Sequence, residues 1–175
     1  MKGRCNLAAV PMRSEASDKS EMVNQVLYGE TFSILERKEK WSKIQLHHDR
    51  YEGWIDNKQW EETTTQWSKL NCKNIISTLF IKKKNNILPL GSYADFTVNE
   101  NNHTIIQTAK LFLNTPYLWG GRTLMGIDCS GFTQVVFRVH HINLFRDAYQ
   151  QATQGKKITL KNAKNGDLAF FKNES

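Results

Sequence analysis

Between residues 4 and 60, short apolar runs alternate with polar and turn-forming residues, and no run carries a long helical period. Leu7 to Val10, Val23 to Tyr28, Thr31 to Leu35, Trp41 to Leu46 and Gly53 to Ile55 each read as a strand. Gly29-Glu30 and Asp49-Arg50 fall between runs and predict turns. Strands this short and this closely spaced suit a small barrel, because closing a sheet manages its edges.

From Asn101 the period changes. Ile105, Ile106, Ala109, Phe112 and Leu113 lie at helical spacing, with Asn102 or Thr104 as the N-cap. Pro116 is expected to end that helix. Phe132, Val135, Val136 and Val139 then fall at i, i+3, i+4 and i+7, which predicts a second helix. Asp128 is a good N-cap, so Cys129 belongs to its first turn. Phe145 to Ala152 reads as a short helical segment, Asn165-Gly166 as a turn and Leu168 to Phe171 as a strand. Residues 61 to 98 carry weaker signals. Glu61 to Thr65 reads as a polar linker, Leu79 to Ile81 as a strand and Lys82 to Asn86 as a turn. An all-β start followed by helices and a strand makes the fold class α+β.

With 175 residues, 39% of them apolar and 11% aromatic, the chain is globular with one or two domains. No apolar run is long enough to span a membrane. Met1-Lys2-Gly3-Arg4 is followed by no apolar stretch of an export signal. A removed signal and a lost start are both compatible with that. The net charge of +7 fits a solvated basic surface or an anionic partner such as a wall polymer, nucleic acid or membrane surface. The runs Lys82-Lys83-Lys84 and Lys156-Lys157, with Lys161 and Lys164 nearby, lack the aromatic interleaving of a nucleic-acid module. The cysteines, Cys5, Cys72 and Cys129, have neither metal-ligand spacing nor an even count, which argues against a metal site or a disulfide framework. Cys5 and Cys72 read as small buried apolar residues.

Cys129 differs. It follows a glycine-rich approach, Gly120-Gly121 and Gly126, and stands where free backbone N–H groups and the helix dipole favour a thiolate. Those N–H groups could also donate to a developing oxyanion. The series Tyr117-Leu118-Trp119-Gly120-Gly121, Asp128-Cys129-Ser130-Gly131-Phe132, Arg146-Asp147-Ala148, Gly166-Asp167-Leu168 and Phe170-Phe171 resembles the NlpC-type cell-wall cysteine peptidases, a papain-like group. Residues 20–30, with 41–46 and Tyr51-Glu52-Gly53-Trp54-Ile55, resemble a bacterial SH3-like domain. The two resemblances imply an SH3-like domain over 1–60, a second, degenerate SH3-like domain or linker over 61–98, and a peptidase domain over 99–175.

The resemblance implies cleavage of the γ-D-glutamyl-L-diamino-acid bond of peptidoglycan stem peptides or murein fragments, in the periplasm or outside the cell, without metal or cofactor. Cys129 would be the nucleophile. Tyr117 is named for the oxyanion hole; Asp128, Ser130, Arg146 and Asp147 for the substrate site. Ala148 stands where some relatives have serine. Glu15 and Tyr51 would hold the substrate's free amino terminus, with Glu21 competing for the place of Glu15. The bland alternatives are an N-cap for Asp128, a surface ion pair for Arg146 and Asp147, and ordinary loop residues for Glu15 and Tyr51. The family's histidine follows the Gly-Asp-Leu-x-Phe-Phe strand, a position that His103, His140 and His141 do not match. His140 and His141 would lie roughly 15 Å from the thiol at the far end of its helix, where cations suit the helix dipole. The chain is therefore expected to be incomplete before its histidine and inactive as it stands. The rival reading is a non-catalytic wall-binding protein; a basic nucleic-acid binder is weaker.

Overall fold

The computed structural model describes residues 1–64, 74–99 and 102–171; Cys72 lies outside them. Seven strands form one antiparallel sheet: β1 (Lys2–Arg4), β2 (Ala9–Arg13), β3 (Met22–Leu27), β4 (Thr31–Arg37), β5 (Trp41–Leu46), β6 (Glu52–Asp56) and β7 (Glu61–Glu62). The order is β3-β2-β6-β5-β4-β1-β7. Strands β2 and β5 bury alternate residues, as the period-two side-chain geometry favours. In β5, Ser42, Ile44 and Leu46 point inward. The sheet curls around a core of Val10, Met12, Val26, Phe32, Ile44, Leu46 and Ile55. Trp60 closes it edge-on to Phe32 at 5.7 Å.

Two segments before residue 90 differ from expectation. Glu61-Glu62 is not linker but β7, paired with Arg4 and Gly3 of β1. Backbone pairing to an open edge needs no apolar side chain, so a polar dipeptide gave no signal. Lys82 to Asn86 holds a tighter turn than expected, at Lys84-Asn85, between β8 (Phe80–Lys83) and β9 (Asn86–Pro89). Leu88 of this hairpin packs with Tyr28, Ile76 and Ala94 on the flank of the sheet.

Helix α1 (Ile105–Lys110) opens with a capping box between Thr104 and Gln107. It ends at Lys110, ahead of Pro116, and Asn114 turns the chain at φ 67°. The short ladder β10 (Arg122–Thr123) and β11 (Gly126–Ile127) delivers the chain into α2 (Cys129–Val139). Next come α3 (Ala148–Gln151) and a single 3-10 turn at Leu160–Asn162. Leu168 to Phe171 forms no strand, because no described segment pairs with it. No described helix is long and apolar enough to cross a membrane.

Helix α2 is the hub. Val135 and Val136 pack with Phe112 on one side and with Leu27 of β3 and Leu90 on the other. The helix is therefore covered on two faces, and its polar Gln134 and Arg138 are as buried as its valines. The interface is charged as well as apolar. Glu30, fully buried at the β3–β4 turn, receives Arg122 Nη2 at 2.8 Å and Nη1 at 3.1 Å, and also pairs with Arg138 Nη1. Its Oε2 accepts the Leu27 N–H at 2.8 Å. His48 and Asp49, also buried, join the cluster, and Asp49 Oδ2 accepts from Gln134 Nε2 at 2.9 Å.

Candidate active site

Cys129 is exposed and begins α2. Its helix is capped by Asp128, whose Oδ1 accepts the Gly131 N–H at 2.6 Å. Oδ2 accepts the Gly120 N–H at 2.8 Å, so one carboxylate ties the glycine loop to the first helical turn. Arg146 completes the set. Its Nη1 lies 3.0 Å from Asp128 Oδ1 and 2.9 Å from Ser130 Oγ, and its Nη2 lies 2.5 Å from Asp128 Oδ2. Such a bidentate pair is strong and directional. Gln151 braces the turn further, donating to the carbonyls of Ser130 and Phe145.

Gly120 adopts φ +75°, and a Cβ there would lie 2.4 Å from the Met22 carbonyl oxygen of β3. Only glycine fits so close an approach. Gly120→Ala is expected to destabilise the protein by about 1–3 kcal/mol, read as a lower urea midpoint. An unchanged midpoint would show that loop and strand are not in contact.

The loop runs along the free edge of β3. Trp119 Nε1 donates to Glu21 Oε1 at 2.5 Å, the Arg122 N–H to Gln25 Oε1 at 2.7 Å, and Arg122 Nη1 to the Gln25 carbonyl at 2.7 Å. Arg146 Nε donates to Asn24 Oδ1 at 2.8 Å. None of Asn24, Gln25, Glu30, Arg122 or Arg138 was singled out from the sequence.

An open cleft exposes the thiol between α1 and α2. Phe112, Leu113, Tyr117, Ile127 and Phe132 line it with Asp128 and Cys129. Tyr117 is two-thirds exposed, and its pKa is raised by burial of the hydroxyl and by the nearby Cys129 and Asp128 charges. On the barrel side, the Tyr51 hydroxyl bonds the Asp147 carboxylate. Burial, then that carboxylate, pushes the Tyr51 pKa up to about 12. Burial likewise raises the pKa of Asp147, which caps α3.

Several expectations change. Arg146 is neither a surface ion pair nor open to a ligand: it is 2% exposed and committed to Asp128, Ser130 and Asn24. Ser130 is buried in the same network, so it holds the turn rather than reaching into the cleft. Glu15 lies in a separate depression with Lys38 and Trp54, because its loop folds back on Ser17 and Ser20. Glu21, its competitor, makes the contact to the glycine loop instead.

All five histidines are accounted for away from the cleft lining. His47 bonds Thr31 and Ser33, and His48 is buried beside Glu30 and Asp49. His140 C-caps α2 against Thr108, with His141 and His103 beside it. Burial and those neighbours lower the His140 pKa, which works against the cation expected at a helix end. Among the described residues no cluster of His, Cys, Asp or Glu is arranged to hold a metal ion.

Residues 114–175 match the NlpC/P60 family, and residues 12–59 match the bacterial dipeptidyl-peptidase Sh3 domain. A γ-D-glutamyl-L-lysine dipeptidyl-peptidase of Bacillus cereus is 24% identical over 89% of this chain and 61% of its own length. One of Bacillus subtilis is 49% identical over 38% of this chain and 23% of its own length. The chain thus spans under two thirds of either relative. The crystal structure of an NlpC/P60 family protein from Bacillus cereus superimposes with a TM-score of 0.72, at 17% identity, over 95% of this chain and 81% of that one. That likeness establishes the α+β fold. The chain carries an NlpC/P60 domain behind a bacterial SH3 domain.

Proposed function

We propose that this protein is a cysteine peptidase of the bacterial cell envelope that cleaves the γ-D-glutamyl-L-diamino-acid bond of peptidoglycan stem peptides. The observation that carries this reading is the exposed Cys129 at the start of a capped helix, facing an open cleft. The relatives' printed activities support the substrate class.

In this reading the Cys129 thiolate attacks the γ-glutamyl carbonyl carbon. The carbonyl oxygen becomes an oxyanion held by the first-turn N–H groups not taken by Asp128, with Tyr117 as a second donor. The diamino acid leaves as its amine, protonated by a general acid, and water then hydrolyses the thioester. The cleft lining described here holds no histidine.

Tyr51 and Asp147 stand where the barrel meets α3 and are proposed to receive the substrate's free ammonium group. The test uses L-Ala-γ-D-Glu-L-Lys and its N-acetylated form with the protein at its full natural length. Release of lysine from the first supports the reading. Acetylation is expected to lower kcat/KM by about tenfold or more, since the carboxylate loses its charged partner. Equal rates would remove Tyr51 and Asp147 from that role. No release from either peptide would remove the substrate class.

A further inference from the structure

We propose that Asn24, on the edge strand of the SH3 domain, is a positioning residue for Cys129, acting through Arg146. The proposal rests on the peptidase reading above. Asn24 is fully buried in β3. Its Oδ1 accepts Arg146 Nε at 2.8 Å and the Gln25 N–H at 2.9 Å. Its side-chain nitrogen has no partner among the described residues. Only the acceptor is used, and an orphaned amide donor is a cost that a purely structural residue would not carry.

The guanidinium of Arg146 is a rigid planar fork. Asn24 holds it at Nε, and the two Nη groups then meet Asp128 and Ser130. Fixing the plane of the fork fixes the plane of the Asp128 carboxylate. That carboxylate binds the Gly120 and Gly131 N–H groups together, and so sets the spacing between the glycine loop and the turn that carries Cys129. Without the Asn24 oxygen, the Nε–H is a buried donor with nothing to bind, and the fork loses the contact that fixes its third edge. The Asp128 carboxylate next to the thiol is then less fully neutralised, and the first turn of α2 loses its register on the loop. Asn24 thereby reaches the nucleophile's turn through Arg146 and Asp128 without itself touching the substrate.

The test compares wild type, Asn24→Leu and Asn24→Asp in the protein at its full natural length. Leucine keeps the volume and removes the acceptor; aspartate keeps an acceptor at the same atom. Cys129 is alkylated with iodoacetamide at pH 7 and followed by peptide mapping, which separates it from the other thiols and needs no substrate. Asn24→Leu is expected to slow alkylation by about tenfold, because a carboxylate that has lost its counter-charge disfavours the thiolate. Asn24→Asp is expected to stay within about threefold of wild type. A merely structural role predicts the opposite for leucine: a loosened turn makes the already exposed thiol still more accessible and speeds alkylation. An unchanged or faster rate in Asn24→Leu overturns the proposal. Should that variant not fold, Asn24→Ala gives the same comparison.

On the tripeptide, Asn24→Leu is expected to lower kcat by about tenfold with KM within about twofold, the pattern of a displaced nucleophile. A rise in KM at constant kcat would overturn positioning in favour of substrate binding. A wild-type protein that cleaves neither tripeptide overturns the peptidase reading, while the alkylation rates still decide the role of Asn24.

Discussion

Replacing Glu30 with alanine is expected to destabilise the protein by roughly 3–5 kcal/mol, the usual consequence of removing one partner from a buried ion pair. Glu30 is fully buried and meets Arg122 and Arg138, both themselves buried. The substitution leaves two guanidiniums in the interior with no carboxylate between them. Urea denaturation followed by tryptophan fluorescence measures the change. A loss under about 1 kcal/mol would mean that solvent reaches the cluster and screens it. A triple variant, Glu30→Leu with Arg122→Met and Arg138→Met, is expected to recover most of the loss, because apolar groups of similar volume replace the whole charge set.

The same carboxylate sets an acid limit. Burial alone would raise its pKa; Arg122 and Arg138, with His48 beside them, outweigh burial and hold it down at about 2. The folded value is below the ordinary 4.5, so the unfolded chain takes up the proton first as pH falls. The stability contributed by Glu30 is therefore complete above pH 4.5 and is lost between 4.5 and about 2. An acid titration of wild type against the triple variant should show the difference only in that window.

Cys129→Ala is expected to lower kcat on L-Ala-γ-D-Glu-L-Lys by on the order of 10⁴-fold or more, since no thioester can form. KM should move little, because the alanine leaves the cleft walls of Phe112, Tyr117 and Phe132 in place. The fold should be unaffected: the thiol is exposed, and the Asp128 cap does not depend on it. Burst-phase lysine release, the mark of an acyl-enzyme, should vanish with the side chain. Residual cleavage near the wild-type rate would place the nucleophile elsewhere.

How much of this was legible in the sequence depended on distance along the chain. The strands were readable because the period-two pattern is local: Ser42, Ile44 and Leu46 alternate with polar neighbours and point inward. The Cys129 helix was readable for the same reason, since its apolar spacing and its Asp128 cap lie within one segment. Glu30 was hidden because Gly29-Glu30 reads as a turn, and turn residues are usually solvated; its partners stand 92 and 108 residues away. Arg138 and Gln134 were hidden because an apolar stripe reports only one face, whereas α2 is covered on two. Asn24 alternates with buried apolar residues of β3, and nothing near it announces Arg146. Motif matching found Asp128, Ser130 and Arg146, and the structure supplied what a motif lacks: which of them face the cleft and which only support it.

The sequence separation inside the buried charge cluster bears on how the chain is made. Synthesis runs from the N-terminus, and the barrel strands are complete by Glu62. Glu30 then has no guanidinium to meet until Arg122 and Arg138 have been added. A nascent barrel therefore holds a carboxylate that must stay hydrated or protonated, with the β3 edge still open to stray strands. Closure of that edge and neutralisation of Glu30 wait on the same late segment. The barrel cannot settle into its final form before the ribosome has delivered the helix that carries the thiol, so folding of the two modules is coupled in time as well as in space.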